Sequence, residues 1–418
     1  MVAIMESVLR EVGAVAAPLA SAYKDLHAHP ELSFQEHRTA AIIAERLAND
    51  GFEVVTGVAK TGVIGVLRGG EGPTVLLRAD MDALPVAEES GLEYASTARG
   101  VDRDGQDVPV MHACGHDVHV TCLLGAAQLL ARHGSEWSGT LIALFQPAEE
   151  AGAGAQSMLD DGLYEQVPVP DVVLGQHVAP MPAGTVGAHA GEAFAGADSL
   201  RVRLFGRGGH GSRPETTIDP VVMAAATVMR LQSVVSREIA GSEMAVLTVG
   251  QLNAGTKSNI IPDEAVLGVS IRSTTAAVRD RVLRATRRVI VAEARASGAE
   301  REPEIVMEES FPVLVNEPDA TARTMGAFRA AFGQERVLDP GAVTGSEDVG
   351  ALATAASAPL VYWLLGGHDA TAFAEATAAG TADRDIPSNH SPHFAPVIEP
   401  TLSTGITALT VAALEWLA

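Results

Sequence analysis

TVLLRAD, residues 74–80, runs Val75, Leu76 and Leu77 together without alternation and stops on a charged residue. A short, continuous apolar run of this kind suits a strand buried on both faces of a sheet. Working outward, three more runs share its character: LIALFQPA (141–148), DVVLGQHV (171–178) and APLVYWLLGG (358–367). All are rich in Val, Leu or Ile and bounded by Gly, Pro or Asp. Between TVLLRAD and LIALFQPA lies VTCLLGAAQLLARHG (120–134), a helical pattern expected to end at Gly134. Strand–helix alternation predicts an α/β fold, with a mixed sheet carrying helices on both faces.

From about Ala190 to about Ser310 the pattern changes. SLRVRLFGR reads as a strand, and Asp219-Pro220 opens a helix with Asp as cap and Pro at the first position. MAVLTVGQL follows, then EAVLGVSIRS, where Ala265, Leu267, Val269 and Ile271 alternate as in a half-buried strand. The helix TAAVRDRVLRATRRVIVAEARASG and the strand EPEIVMEE complete a β-α-β-β-α-β order, the signature of a ferredoxin-like α+β domain. The α/β pattern resumes with VLVNEPDATARTMGAF. Two domains are therefore expected, one from residues 1–190 with 311–418, the other inserted at 191–310. A chain of 418 residues is also too long for one ordinary core.

The bulk numbers exclude several classes. With 52 acidic against 29 basic residues the formal charge is −23, and no basic stripe offers a nucleic-acid surface. No apolar run reaches membrane-spanning length. The opening MVAIMESVLREVGAV lacks a basic start and is broken by Glu6 and Glu11, so it reads as an amphipathic helix and the expected location is cytoplasmic. Cys114 and Cys122 are the two cysteines, so no disulfide framework holds the fold.

In open α/β sheets, chemistry gathers beyond the carboxyl ends of strands. Asp80 follows TVLLRA there, Glu149-Glu150 follow LIALFQPA, and His177 ends DVVLGQ. MHACGHDVH, just before the predicted helix, packs His112, Cys114, His116, Asp117 and His119 into nine residues. Thiolate, imidazole and carboxylate together suit Zn(II) or another first-row divalent ion. A Cys-x-His pair alone is a weak signal, but ligand-type residues at three separate strand ends are hard to reach by accident. Two adjacent glutamates alone would read as an exposed acidic turn. Beside a metal, one can be a ligand and the other a general base. Near the C-terminus SNHSPHF offers His390 and His393, between which spacing does not choose.

MHACGHDVH, QPAEE, GQHV, GRGGHGSRPE, SNIIPDE and HSPHF stand in the order seen in the aminoacylase/carboxypeptidase family of dinuclear metallohydrolases, which this chain resembles. The resemblance extends from HAHPELSFQE (27–36) to HSPHF and is closest to the amidohydrolase branch, with its hippurate hydrolases, indole-acetyl-amino-acid hydrolases and N-acetyl-diaminopimelate deacetylases. It implies two divalent ions per subunit, Mn(II) or Zn(II), held by Cys114, His116, Glu150, His177 and His390. It implies Glu149 as general base, and selects His390 as the histidine directly before Ser-Pro. The inserted domain resembles a lid and dimerisation domain whose His210 serves the partner's site, with Asn259 and Arg272 gripping the substrate carboxylate.

The implied reaction is hydrolysis of an N-acyl amino acid to a carboxylate and the free amino acid. A metallo-dipeptidase or carboxypeptidase, or a non-catalytic binding homologue, is the alternative; the intact glutamate pair argues against the last. Where other branches carry a His-x-Asp metal motif, this chain has Arg78-Ala79-Asp80, so Asp80 is expected to orient a ligand histidine. Glu215 also stands where the branch has a histidine, and the segment leading to His390 is long. Both bear on substrate preference.

Overall fold

The computed structural model describes residues 2–417. The chain forms two compact units: Met1–Ala193, Val315–Gly341 and Asp348–Ala418 in one, Phe194–Leu314 and Ala342–Glu347 in the other. In chain order, the elements that matter begin with helices α1 (Val12–Ala28) and α2 (His37–Asn49). Strands β1 (Glu53–Val58), β2 (Gly62–Arg68) and β3 (Thr74–Asp80) follow, then helix α3 (His116–Arg132). Next come β4 (Thr140–Gln146), β5 (Val172–Pro182) and β6 (Val186–Gly187). The second unit holds β7 (Gly196–Phe205), α4 (Pro220–Glu238), β8 (Ala245–Ala254), β9 (Glu264–Ser273), α5 (Ala276–Ala296) and β10 (Glu304–Phe311). The first resumes with α6 (Pro318–Phe332), β11 (Val337–Leu338), β12 (Leu360–His368) and α7 (Ile398–Leu417).

The first unit is a mixed α/β structure on an eight-stranded sheet of order β1-β2-β4-β3-β5-β12-β6-β11. Its centre, β4-β3-β5-β12, is parallel, and β1 and β2 join antiparallel at one edge. Val75, Leu76 and Leu77 are all fully buried, as a strand covered on both faces demands. Val75, Leu77 and Ala79 join the large core with α1, α3 and α7. Arg78, on the alternate face, meets Asp348, which in turn accepts the amide of Ala155 in the short helix Gly154–Asp160.

The second unit is a four-stranded antiparallel sheet of order β8-β9-β7-β10. Ala265, Leu267, Val269 and Ile271 point into its core with Val278, Val282, Ala285 and Val289 of α5, which recur at helical spacing. Asp219 caps α4 by accepting the amide of Val221 at 2.8 Å.

Two boundaries differ from expectation. Helix α3 starts at His116, so the last four residues of MHACGHDVH form its first turn. Gly115 causes this: it takes φ +82 at the cap, and a Cβ there would lie 2.3 Å from Val178. Strand β5 runs past His177 to Pro182, because β12 goes on pairing with it as far as His368.

Candidate metal centre

The parallel order of β3, β4 and β5 brings their carboxyl ends to one edge of the sheet. Pairing between β3 and β5 stops at Arg78 and Gly175, while β5 continues along β12. That frees one side of His177 toward the end of β3. The loop after β4 carries Glu149 and Glu150, and the first turn of α3 carries His116.

Cys114, His116 and His177 each offer a ligand atom within 4.8 Å of the others, and so do Cys114, Glu150 and His390. His116, Glu149 and Glu150 form a third such group. Cys114 is common to the first two, so the donors make two adjacent sets joined at one sulfur. His177 Nδ1 donates to the Val178 carbonyl at 2.8 Å, which leaves Nε2 as a lone-pair donor 3.5 Å from Cys114 Sγ. Glu150 Oε1 stands 3.8 Å from His116 Nε2 and 3.4 Å from His390 Nε2. That oxygen and both His116 ring nitrogens are buried without a well-formed hydrogen bond, although His116 Nδ1 has Asp82 Oδ1 3.3 Å away. Buried polar atoms without partners are costly, and a cation among them removes the cost. The donor set fits a divalent metal pair.

The surrounding charges are graded. Burial and the carboxylates of Glu150, Glu149 and Asp80 push the Cys114 thiol well above its ordinary value. Burial opposes charge on His116, but Asp80, Asp82 and Glu150 raise it to about 10. Burial would raise Glu150 as well, yet His390 and His116 hold it below the usual carboxylate range. His177 is lowered to about 4 by burial, keeping its ring neutral, as ligation requires.

His119 is occupied differently. Its Nδ1 bonds Asp80 and its Nε2 accepts the Val178 amide at 2.8 Å, so neither nitrogen is free for a metal. Asp80 also takes Arg78 Nη1 at 2.8 Å. Burial works against its charge, but His116, His119 and Arg78 hold it well below its ordinary value. The buried Arg78 thus anchors Asp80, and Asp80 anchors His119 against the backbone of the residue after His177.

Residues 76–410 match the sequence model of the family described as Peptidase family M20/M25/M40. The chain belongs to this family. It is 37% identical to the N-acetyl-L-cysteine deacetylase of Bacillus subtilis, over 78% of this chain and 75% of that protein. It is also 37% identical to thermostable carboxypeptidase 2 of Saccharolobus solfataricus, over 82% of this chain and 84% of that one. A solved structure from Bacillus subtilis, described as a dinuclear metal binding peptidase of the M20 family, superposes with a TM-score of 0.73. It is 29% identical, covering 97% of this chain and 100% of that one. This M20 protein is accordingly a metal-dependent hydrolase of the amidohydrolase branch.

Within the M20 chain the structure brings together Asp80, Cys114, His116, Glu149, Glu150, His177 and His390. His393 instead turns its Nδ1 to the Glu89 carbonyl at 2.8 Å. His210, Asn259 and Arg272 belong to the second unit, and all three are exposed.

Sequence reasoning missed the supports. Asn389 donates to the carbonyls of Cys114 and Val178, both at 3.1 Å, and the His390 amide reaches Ala113 at 2.8 Å, so the final loop is pinned to the segments carrying Cys114 and His177. His27, 1% exposed, bonds Asp117 at 2.6 Å and Glu88 at 3.0 Å. Burial disfavours its charge, but these two carboxylates raise it to about 10, making it a buried cationic link between α1 and α3. Asp82 and Glu36 reach the glutamate loop. The nearest signal was HAHPELSFQE, a stretch that carried resemblance but no role.

Proposed function

We propose that this M20 hydrolase cleaves the amide bond of N-acyl amino acids, using two divalent metal ions held by Cys114, His116, Glu150, His177 and His390. The observation carrying this reading is the pair of donor sets that share Cys114, with Glu149 beside them and in neither. Were the Cys114 thiolate to serve both positions, it would favour Zn(II) or another borderline ion over a hard one. It also needs a free thiol, in keeping with a reducing cytoplasm; both cysteines are free.

Bound divalent ions supply the charge that polarises the amide carbonyl and acidifies water. Glu149 takes the proton of the attacking water on its carboxylate and returns it to the leaving amine. His119, held neutral between Asp80 and the Val178 amide, keeps His177 in place. Residues 191–310 act as a ferredoxin-like lid and dimerisation domain inserted in the catalytic domain of 1–190 and 311–418. In the lid, His210 Nδ1 accepts the Ser212 amide at 3.1 Å, leaving Nε2–H to face an oxyanion. Arg272 is steadied by the Ser346 hydroxyl at 2.8 Å and the Thr344 carbonyl at 3.2 Å, ready with Asn259 for a substrate carboxylate.

Dimerisation has its own support. β8 is an edge strand with exposed Val246 and Leu252, and α4 exposes Val222 and Met229, the last at 74%. Unpaired edges and exposed apolar side chains are what a second subunit covers.

A peptidase reading draws on the similarity to a carboxypeptidase. The test is kcat/KM of the metal-reconstituted enzyme on N-acetyl and N-benzoyl amino acids against dipeptides. The acyl amino acids should win by about tenfold or more, a margin of about 1.4 kcal/mol in transition-state binding. A preference for dipeptides would establish the peptidase instead.

A further inference from the structure

The loop after β4 makes an unusual demand. Ala148 takes φ +51, left-handed for a residue with a side chain, and the next two residues are glutamates. Three consecutive backbone amides, those of Ala148, Glu149 and Glu150, are satisfied by carboxylates from outside the loop. Ala148 N donates to Glu36 Oε1 at 2.9 Å. Glu149 N and Glu150 N donate to the two oxygens of Asp82, each at 3.1 Å. Successive amides around a left-handed residue form a concavity that attracts anions, and here the protein fills it with its own.

Both carboxylates are themselves fixed. Asp82, 1% exposed, takes the Ser33 hydroxyl at 2.6 Å. Glu36, fully buried, accepts the Thr61 hydroxyl at 2.6 Å and the Phe34 amide at 2.9 Å. Phe34 has φ +62, and Thr61 follows the left-handed pair Ala59 and Lys60 at φ +50 and +76. Glu36 therefore ties three strained turns together. Strained backbone persists only where its surroundings over-determine it.

We propose that Glu36 and Asp82 are positioning residues: a two-carboxylate cradle that grips the backbone of the Glu149-Glu150 loop and aims Glu149 for proton transfer. The Ser33–Glu36 end of HAHPELSFQE thereby acquires a task, although it supplies no metal ligand. The cradle rests on the reading of Glu149 as the base. Its chemistry also predicts an asymmetry between the two acids. Oε1 of Glu36 serves both of its amides, so glutamine can replace it, with its amide nitrogen turned to the Thr61 hydroxyl. Asp82 uses both oxygens on amides, so asparagine must set an N–H against an N–H. Its Oδ1 also lies 3.3 Å from His116 Nδ1, which is why exchange in metal-free protein, and not kcat alone, decides the grip.

Amide hydrogen exchange on metal-free protein tests the grip without depending on catalysis. Asp82→Asn should speed exchange at Glu149 or Glu150, and Glu36→Ala at Ala148, while Glu36→Gln keeps Ala148 protected. In reconstituted enzyme with metal content matched, Asp82→Asn and Glu36→Ala should lower kcat roughly 10- to 100-fold with KM little moved, and Glu36→Gln should recover most of it. Glu31→Ala is the structural control: its carboxylate caps α2 through the Arg38 and Thr39 amides and touches nothing in the loop. It should lower the melting temperature without changing loop exchange or kcat.

Should Glu36→Ala not fold, Asp82→Asn and the glutamine variant still decide. The cradle is overturned if loop exchange in Asp82→Asn matches wild type. It is equally overturned if Glu36→Gln falls as far as Glu36→Ala, or if Glu31→Ala lowers kcat in step with the cradle variants. An active Glu149→Gln would instead remove the base assignment and leave the exchange result standing, so the two failures are distinguishable.

Discussion

The two units hold most of their candidate site residues in opposite ways, with His390 the exposed exception in the first. In the first, His116 and Asp80 are fully buried, Cys114 is 7% exposed, and His119 has both nitrogens committed within the fold. In the second, His210, Asn259 and Arg272 are exposed; His210 is anchored locally by Ser212, and Arg272 by Ser346, distant in the chain but in the same unit. Buried polar groups are expensive unless satisfied, so the first arrangement is assembled by folding itself. Exposed groups cost little, and under the proposed function these three would act when a substrate or second subunit arrives. The contrast sets a preorganised cluster against residues that the proposed function would recruit on binding, and it can be broken by experiment.

The largest effect should come from the paired glutamates, which share a loop but differ in company. Glu150 faces His116 and His390, whereas Glu149 lies outside both donor sets that share Cys114. Glu149→Gln should keep two equivalents of metal and lose roughly a thousandfold or more in kcat, a barrier increase of about 4 kcal/mol. Glu150→Gln should lose metal as well. Near-normal turnover by Glu149→Gln, alongside full metal content, would abolish the distinction between ligand and base.

A smaller effect should separate the two cysteines. Cys122 is fully buried in α3, with its thiol directed to the Leu402 carbonyl at 3.8 Å, and plays the part of a core side chain. Cys114 sits in both donor sets. Cobalt-substituted protein should show a thiolate charge-transfer band that Cys114→Ser abolishes and Cys122→Ser retains. Losing the ligand should weaken metal affinity beyond the roughly 10- to 100-fold that follows loss of a supporting residue. A band surviving in Cys114→Ser would take the sulfur out of the centre.

The same contrast explains what the sequence made legible. Strands such as 74–80 and 264–273 announce themselves through burial period, and ligand-type residues are few enough to be counted at strand ends. Supports are harder to read. Asp82, Glu36 and Asn389 work through backbone amides and carbonyls, which every residue has and no motif displays. Gly115 decided where α3 begins by a close approach to Val178, a contact between residues far apart in the chain. For the second unit the difficulty is of another kind: His210 in a glycine-rich turn has no burial signature that distinguishes function from exposure.

The smallest expected signal is the one that most sharpens the comparison, because it asks whether His210 works for its own chain. Its Nδ1 is held by the Ser212 amide, so Nε2–H is the group available to a developing oxyanion. Pairing of lids through the exposed faces of α4 and β8 would let each His210 serve the neighbouring subunit, in a symmetric two-fold arrangement. His210→Ala and Glu149→Gln homodimers should each be nearly inactive, one lacking the donor and the other the base. In a mixed dimer, the His210→Ala chain keeps its own Glu149 and receives the partner's intact donor, so one site in two is complete. Random exchange makes half the dimers mixed, and recovered activity should reach roughly a quarter of wild type. Activity no higher than the parents, in dimers verified as mixed by mass, would place His210 in its own chain's site or outside the reaction. Recovery near one quarter would show that the preorganised centre is completed across the subunit boundary by a residue that folding leaves exposed.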